Sequence, residues 1–145
     1  PSSSWISNAA LEVLCKNWGY TLEYRKEIRE FLKPMEWDKH SYLRSSAFFL
    51  APEILKKTQD KELLQLLLDI FDNDRQNDAY IRMRAYQAIA LGMGVDLYAL
   101  LKEPGLEELI KTGKLDLSVI DKARDMLKAW SQVTKKYIVK RISSI

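Results

Sequence analysis

Cysteine and histidine are almost missing from this chain. Cys15 stands alone, so no disulfide can close within it, which fits a reducing compartment. With His40 as the one histidine, the ligand pool is too small for a zinc-finger cage. Long apolar stretches are missing as well. Runs such as 47–51 and 66–68 fall far short of the roughly 20 residues that a membrane-spanning helix needs. Strong charge imbalance is also lacking. A net charge of +3 and a pI of about 8.9 are too mild to imply nucleic acid on their own. Neither a glycine-rich phosphate loop nor a GxSxG or HExxH motif occurs, so the expectation is a chain with no cofactor, no metal and no catalytic site. No charged-then-apolar leader opens the chain, and it starts at Pro1 without a methionine. The expectation is an intracellular, cytoplasmic protein of which this is a piece, or one with a processed N-terminus.

What the chain does have is one domain's worth of ordinary globular composition: 145 residues, 47% hydrophobic and 30% charged, with no linker or low-complexity segment. It also has a repeat. Residues 80–91 read as an aromatic, an aliphatic, three variable residues, an alanine, two variable residues and two apolar ones, filled by Tyr80, Ile81, Ala85, Ala88 and Ile89. Tyr42, Leu43, Ala47, Leu50 and Ala51 fill the same pattern, and so do Trp5, Ile6, Ala10, Val13 and Leu14. Val119, Ala123, Met126 and Leu127 fit a fourth time, with Ser118 in place of the aromatic. The aliphatic positions 6, 43, 81 and 119 are 37, 38 and 38 residues apart. A fixed period of this size predicts stacked helical repeats.

In chain order, helical spacing predicts a helix over 4–18 with its apolar face at Ile6, Ala10, Val13 and Leu14, stopped by Gly19. A second follows over 22–33, opened by Thr21 and ended by Pro34. The third, 40–51, is capped by Asp38 or Ser41 and kinks or breaks at Pro52. Segments 60–72 and 79–91 are the next pair, the first apolar on nearly all sides. Residues 95–101 and 104–111 are expected as short helices and 118–130 as a longer one with Ser118 as its cap. The tail, 132–143, reads as a helix with Val133, Tyr137 and Ile138 buried, although its β-branched residues keep a strand open.

The segment 61–94 resembles a HEAT repeat. It has a leucine-rich first helix, an Asp-containing turn, and a second helix reading Ile81, Arg82, Ala85, Ala88, Ile89. Leu43, Arg44, Ala47, Leu50 and Ala51, preceded by Asp38, repeat it. The likeness covers most of 5–92 and weakens beyond, where Ile120 holds the arginine position; Ser7 holds it in the first unit. The resemblance implies an all-α superhelix, or solenoid, of about four two-helix HEAT-like repeats (1–19, 20–57, 58–94 and 95–130) with 131–145 as a C-terminal cap. It also implies second helices on the concave side and an Asp–Arg ladder between repeats.

Several residue groups invite a functional reading, each beside a plainer one. Trp5, Tyr42 and Tyr80 form either a row of aromatics on one face or packing at the start of each second helix. Arg44, Arg82 and Arg84, with Lys39 and Arg75, form either a basic strip or, for the first two, the ladder; Arg84 is the freer. The tail's Lys135, Lys136, Lys140 and Arg141 carry solvated charge or meet nucleic acid or membrane. Asp69, Asp72, Asp74 and Asp78 lack calcium-loop spacing and read as caps and turns. Cys15 and His40 occupy different repeat positions, which argues against a nucleophile–base pair, and Asp121 with Asp125 reads as a solvated face. The resulting expectation is a non-catalytic scaffold that binds a protein or peptide through Tyr42, Ser45, Phe49, Tyr80, Arg84 and Gln87, on the exposed side of the second helices. Nucleic-acid binding through arginines and the basic tail is the alternative.

Overall fold

The computed structural model describes residues 3–38, 40–73, 78–96 and 105–144. Among them every regular element is a helix. Helix α1 (Ser3–Glu12) continues into a π-helical turn (Val13–Asn17), so the single expected helix is present but its end is wound more loosely. Gly19 takes the left-handed position (φ 75°) that stops it and lets Tyr20 N donate to Leu14 O at 3.0 Å. Helix α2 (Arg25–Phe31) starts later than expected. Thr21 does not cap it, because its buried hydroxyl donates instead to the Glu53 carboxylate 2.9 Å away.

Helix α3 (Tyr42–Lys57) continues past Pro52, so of the expected kink or break the break does not occur. Proline removes one N–H and crowds the preceding turn. Here nine buried residues, Pro52 among them, hold the helix between its neighbours, so tertiary packing overrides the local cost. Ser41 sits at φ 55° and makes no capping bond; Asp38 caps from farther back, accepting from Arg44 N at 3.3 Å. Helix α4 (Lys61–Asp72) is capped by Asp60, which accepts from Leu63 N at 3.0 Å, and α5 (Ala79–Gly92) by Asp78, which accepts from Tyr80 N and Ile81 N.

Helix α6 (Leu106–Lys111) ends before Gly113, which is again left-handed. Helix α7 (Ser118–Ser143) joins the expected 118–130 helix and the tail into one element of 26 residues, and the strand alternative falls away. Its entry is tied by Asp116, which accepts from Ser118 N at 2.9 Å, so Ser118 is not the cap. The expected burial of Val133, Tyr137 and Ile138 does not occur: each is more than half exposed, because this end of α7 extends past the body that could cover it. No helix among the described residues is long and apolar enough to cross a membrane. The short helix expected over 95–101, the start of the next at Pro104, the turn residues 74–77, and Lys39 lie outside the described residues.

The helices pack in two rows. Helices α1, α3 and α5 lie side by side in one, and α2 and α4 in the other, with α2 against α3 and α4 against α5. Helix α6 packs on α5, and α7 closes the end by lying across both α4 and α5, so the regular alternation stops there. The repeat alanines Ala47, Ala85 and Ala123 are fully buried, where small side chains let helices approach closely. Ala10, their equivalent in α1, is exposed. So are Ile6 and Val13 of the face expected to be buried, while Leu14 is half-buried; Leu11 and Cys15 point into the core instead. Among the described residues, the helix that α1 chiefly packs on is α3.

Candidate functional site

The row of α1, α3 and α5 presents one continuous face to solvent. Tyr42, Ser45 and Phe49 fall at i, i+3 and i+7 on α3, and Tyr80, Arg84 and Gln87 at i, i+4 and i+7 on α5. Tyr42, Ser45, Phe49 and Tyr80 are exposed, while Arg84 and Gln87 are half-buried where the two helices meet. The link between the helices is direct: Arg84 Nη2 donates to the Ser45 carbonyl at 3.2 Å, and Arg84 Nε is enclosed without a hydrogen-bond partner. Arg84 therefore bridges α3 and α5 and is not the unengaged cation expected from the sequence.

Trp5, Tyr42 and Tyr80 are exposed by 57%, 41% and 48%. Each of the three aromatics at this repeat position is thus partly packed and partly in water. Cationic groups beside the strip are engaged. Lys16 Nζ lies 4.5 Å from the centroid of the Phe49 ring and 3.3 Å from Glu12 Oε1, and the His40 ring lies 5.5 Å from that of Tyr42.

Arg44 and Arg82 do not join this strip. Arg44 Nε donates to Leu32 O at 2.8 Å and Arg82 Nε to Phe71 O at 2.7 Å. In both units, then, the arginine after the aromatic–aliphatic pair of the repeat satisfies a carbonyl at the end of the first helix, where the helix dipole also favours a cation. Burial pushes the Arg44 guanidinium below its ordinary value, and the Asp78 carboxylate of the next unit partly restores it. Arg44, Asp78 and Arg82 line one cavity of about 110 Å³ between the two units. The basic-strip reading of Arg44 and Arg82 gives way to a structural one.

A third arginine of this kind escaped the sequence reading. Arg124, one turn after the Ile120 position, donates through Nη2 to both oxygens of Asp72 at the end of α4, at 2.7 and 2.8 Å, and this bond raises its pKa. Looking one turn beyond the register position would have found it. The remaining acids have equally local roles: Asp69 accepts from Gln65 at 2.8 Å, Asp78 caps α5, and Asp121 and Asp125 face solvent. Cys15 is buried, and desolvation pushes its thiol up, away from the thiolate that a nucleophile needs. Among the described residues no group of three or more His, Cys, Asp or Glu is placed to hold a metal ion.

Compared with family models, characterised proteins and solved structures, the chain matches none of them.

Proposed function

We propose that this chain is a HEAT-like solenoid that serves as a non-catalytic interaction module, its partner a protein or peptide laid across α1, α3 and α5. The observation that carries the reading is the exposed column Trp5, Tyr42 and Tyr80, one aromatic from each helix of the row. An aromatic side chain can bury about 150–250 Å², so leaving half of it in water forgoes roughly 100 Å². At about 25 cal/mol/Å² that is on the order of 2.5 kcal/mol each, with no gain in folding to explain it. A binding surface explains it, because rigid aromatics give large contact area at small entropy cost. Arg84 and Lys16 beside the rings suit a partner with acidic groups near apolar ones. Ser45, Phe49 and Gln87 complete the strip.

The experiment is a selection of binding peptides from a random displayed library, run on the wild type and on Tyr42→Ala/Tyr80→Ala. Both tyrosines lie at the surface with roughly half of each ring in water, so the variant stays folded although its melting midpoint falls. The expected result is an enriched peptide family that the variant no longer retains. Equal retention by both proteins would remove the strip from the proposal.

Nucleic-acid binding keeps a place as a second reading because of one observation. In 132–144 four cations (Lys135, Lys136, Lys140, Arg141) stand exposed on α7 with no acid among them. That reading predicts affinity that falls steeply with salt.

A further inference from the structure

The exposed rings stand at a regular interval, and hydrogen bonds between the helices set it. Ser46 Oγ of α3 donates to Asn8 Oδ1 of α1 at 2.6 Å, and the two residues are 38 positions apart. Arg84 Nη2 of α5 donates to the Ser45 carbonyl of α3 at 3.2 Å, across 39 positions. Residues one repeat apart therefore lie abreast on neighbouring helices. Tyr80 is 38 positions after Tyr42, and Trp5 is 37 before it, so the column crosses the row squarely with one ring per helix. Packed helices lie about 8–10 Å apart, which sets the interval between the rings. The Tyr42 ring is braced by that of His40, 5.5 Å away.

We infer that the column takes a proline-rich segment in the polyproline II conformation, with a proline at every third residue and acidic residues between. The inference rests on the strip proposed above and names the class of peptide it holds. A polyproline II helix has three residues per turn and rises about 3.1 Å per residue, so prolines at every third position fall about 9.3 Å apart along one side. That repeat equals the spacing of the helices, and successive prolines meet successive rings. Such a segment is extended before it binds and has no internal hydrogen bonds, so its carbonyls need donors. The hydroxyls of Tyr42 and Tyr80 and the indole N–H of Trp5 are donors of that kind. A ligand in β conformation would need a sheet edge to pair with, and every regular element among the described residues is a helix. Charge selects the residues between the prolines. Arg84 sits beside the column and bonds a carbonyl, with no carboxylate of its own chain on it among the described residues. An acid next to a proline complements that guanidinium.

Fluorescence anisotropy with a labelled peptide of three Pro-Ala-Glu units tests the match. The control peptide has the same residues rearranged so that its prolines fall at every fourth position. The wild type should bind the first peptide saturably and the control about tenfold more weakly, the loss expected when one anchor misses its ring. Tyr42→Ala/Tyr80→Ala, shown to be folded by circular dichroism, should bind the first peptide at least about tenfold more weakly than the wild type. Equal affinity for the two peptides overturns the inference, and so does no binding of the first at about 1 mM. The displayed-library selection separates the two levels. Peptides that the tyrosine variant loses but that lack prolines at every third position leave the strip standing and remove the polyproline ligand. A selection that yields no peptide family lost by the variant removes both.

Discussion

At the scale of single residues, close approach decides more than propensity. Gly92 closes α5 against α3, and a Cβ placed there would lie 2.7 Å from Leu55 Cδ1 and 2.9 Å from Leu55 Cβ. In an isolated helix Gly→Ala gains about 1 kcal/mol. At this position the added methyl must push Leu55, itself buried, out of a packed core, which costs about 1–3 kcal/mol. The clash outweighs the gain in helix propensity, so Gly92→Ala should lower stability by about 1 kcal/mol in a urea titration. A variant more stable than the wild type would show that Leu55 yields freely and that the seam between α3 and α5 is loosely packed. The arginines make the same point through hydrogen bonds. The spacing of Arg44 and Arg82 was legible in the sequence. Their use, as donors to carbonyls at the ends of α2 and α4, was not, because a main-chain acceptor leaves no trace in residue types.

At the scale of elements, the chain announces its helices well wherever a cap or a left-handed glycine marks the end. Asp60 and Asp78 start α4 and α5 where expected, and Gly19 and Gly113 end their helices. The misreadings share a cause: a local signal gave way to tertiary contact. Thr21 turns from capping α2 to bonding Glu53, and Pro52 rides inside α3. Pro52 leaves the Phe48 carbonyl without its donor four residues on, a defect that α3 tolerates because its sides are covered. Proline in a helix interior costs about 3 kcal/mol relative to alanine. Pro52→Ala restores the N–H but loses part of a buried ring, a loss of about 1 kcal/mol or less per methylene. The expected net effect is a gain of about 1–2 kcal/mol, read as a higher midpoint in thermal or urea unfolding. A loss of stability would mean that α3 is bent at Pro52 and that α1 and α5 are packed to the bend.

At the scale of the whole molecule, the adjacency of α1, α3 and α5 was legible, and the burial of α1 and of the tail was not. A period of 37 or 38 residues placed α1, α3 and α5 in a row, and the exposed strip of Tyr42, Phe49 and Tyr80 follows from that register. A period marks the face that a helix of this pattern can bury, and does not say which of those side chains are covered here. Ile6 and Ala10 therefore looked like core, and so did Val133 and Tyr137 in the tail. Helix α7 divides at Trp130. Before it, Ile120, Ala123 and Trp130 are buried against the body; after it, from Gln132 to Ser144, the described side chains are exposed. A stretch with no buried side chain contributes little to the global fold, and surface changes of this kind fall within about 0.5 kcal/mol. Removing 132–145 should therefore leave the unfolding midpoint within about 4 °C of the wild type, while helix content falls by the length removed. The same deletion takes away the four tail cations, so any binding to single-stranded DNA at low salt should disappear with it. A large drop in midpoint would place the tail against the body in solution. DNA binding that survives the deletion would move the nucleic-acid reading off α7 and onto the face that carries Arg84 and Lys16.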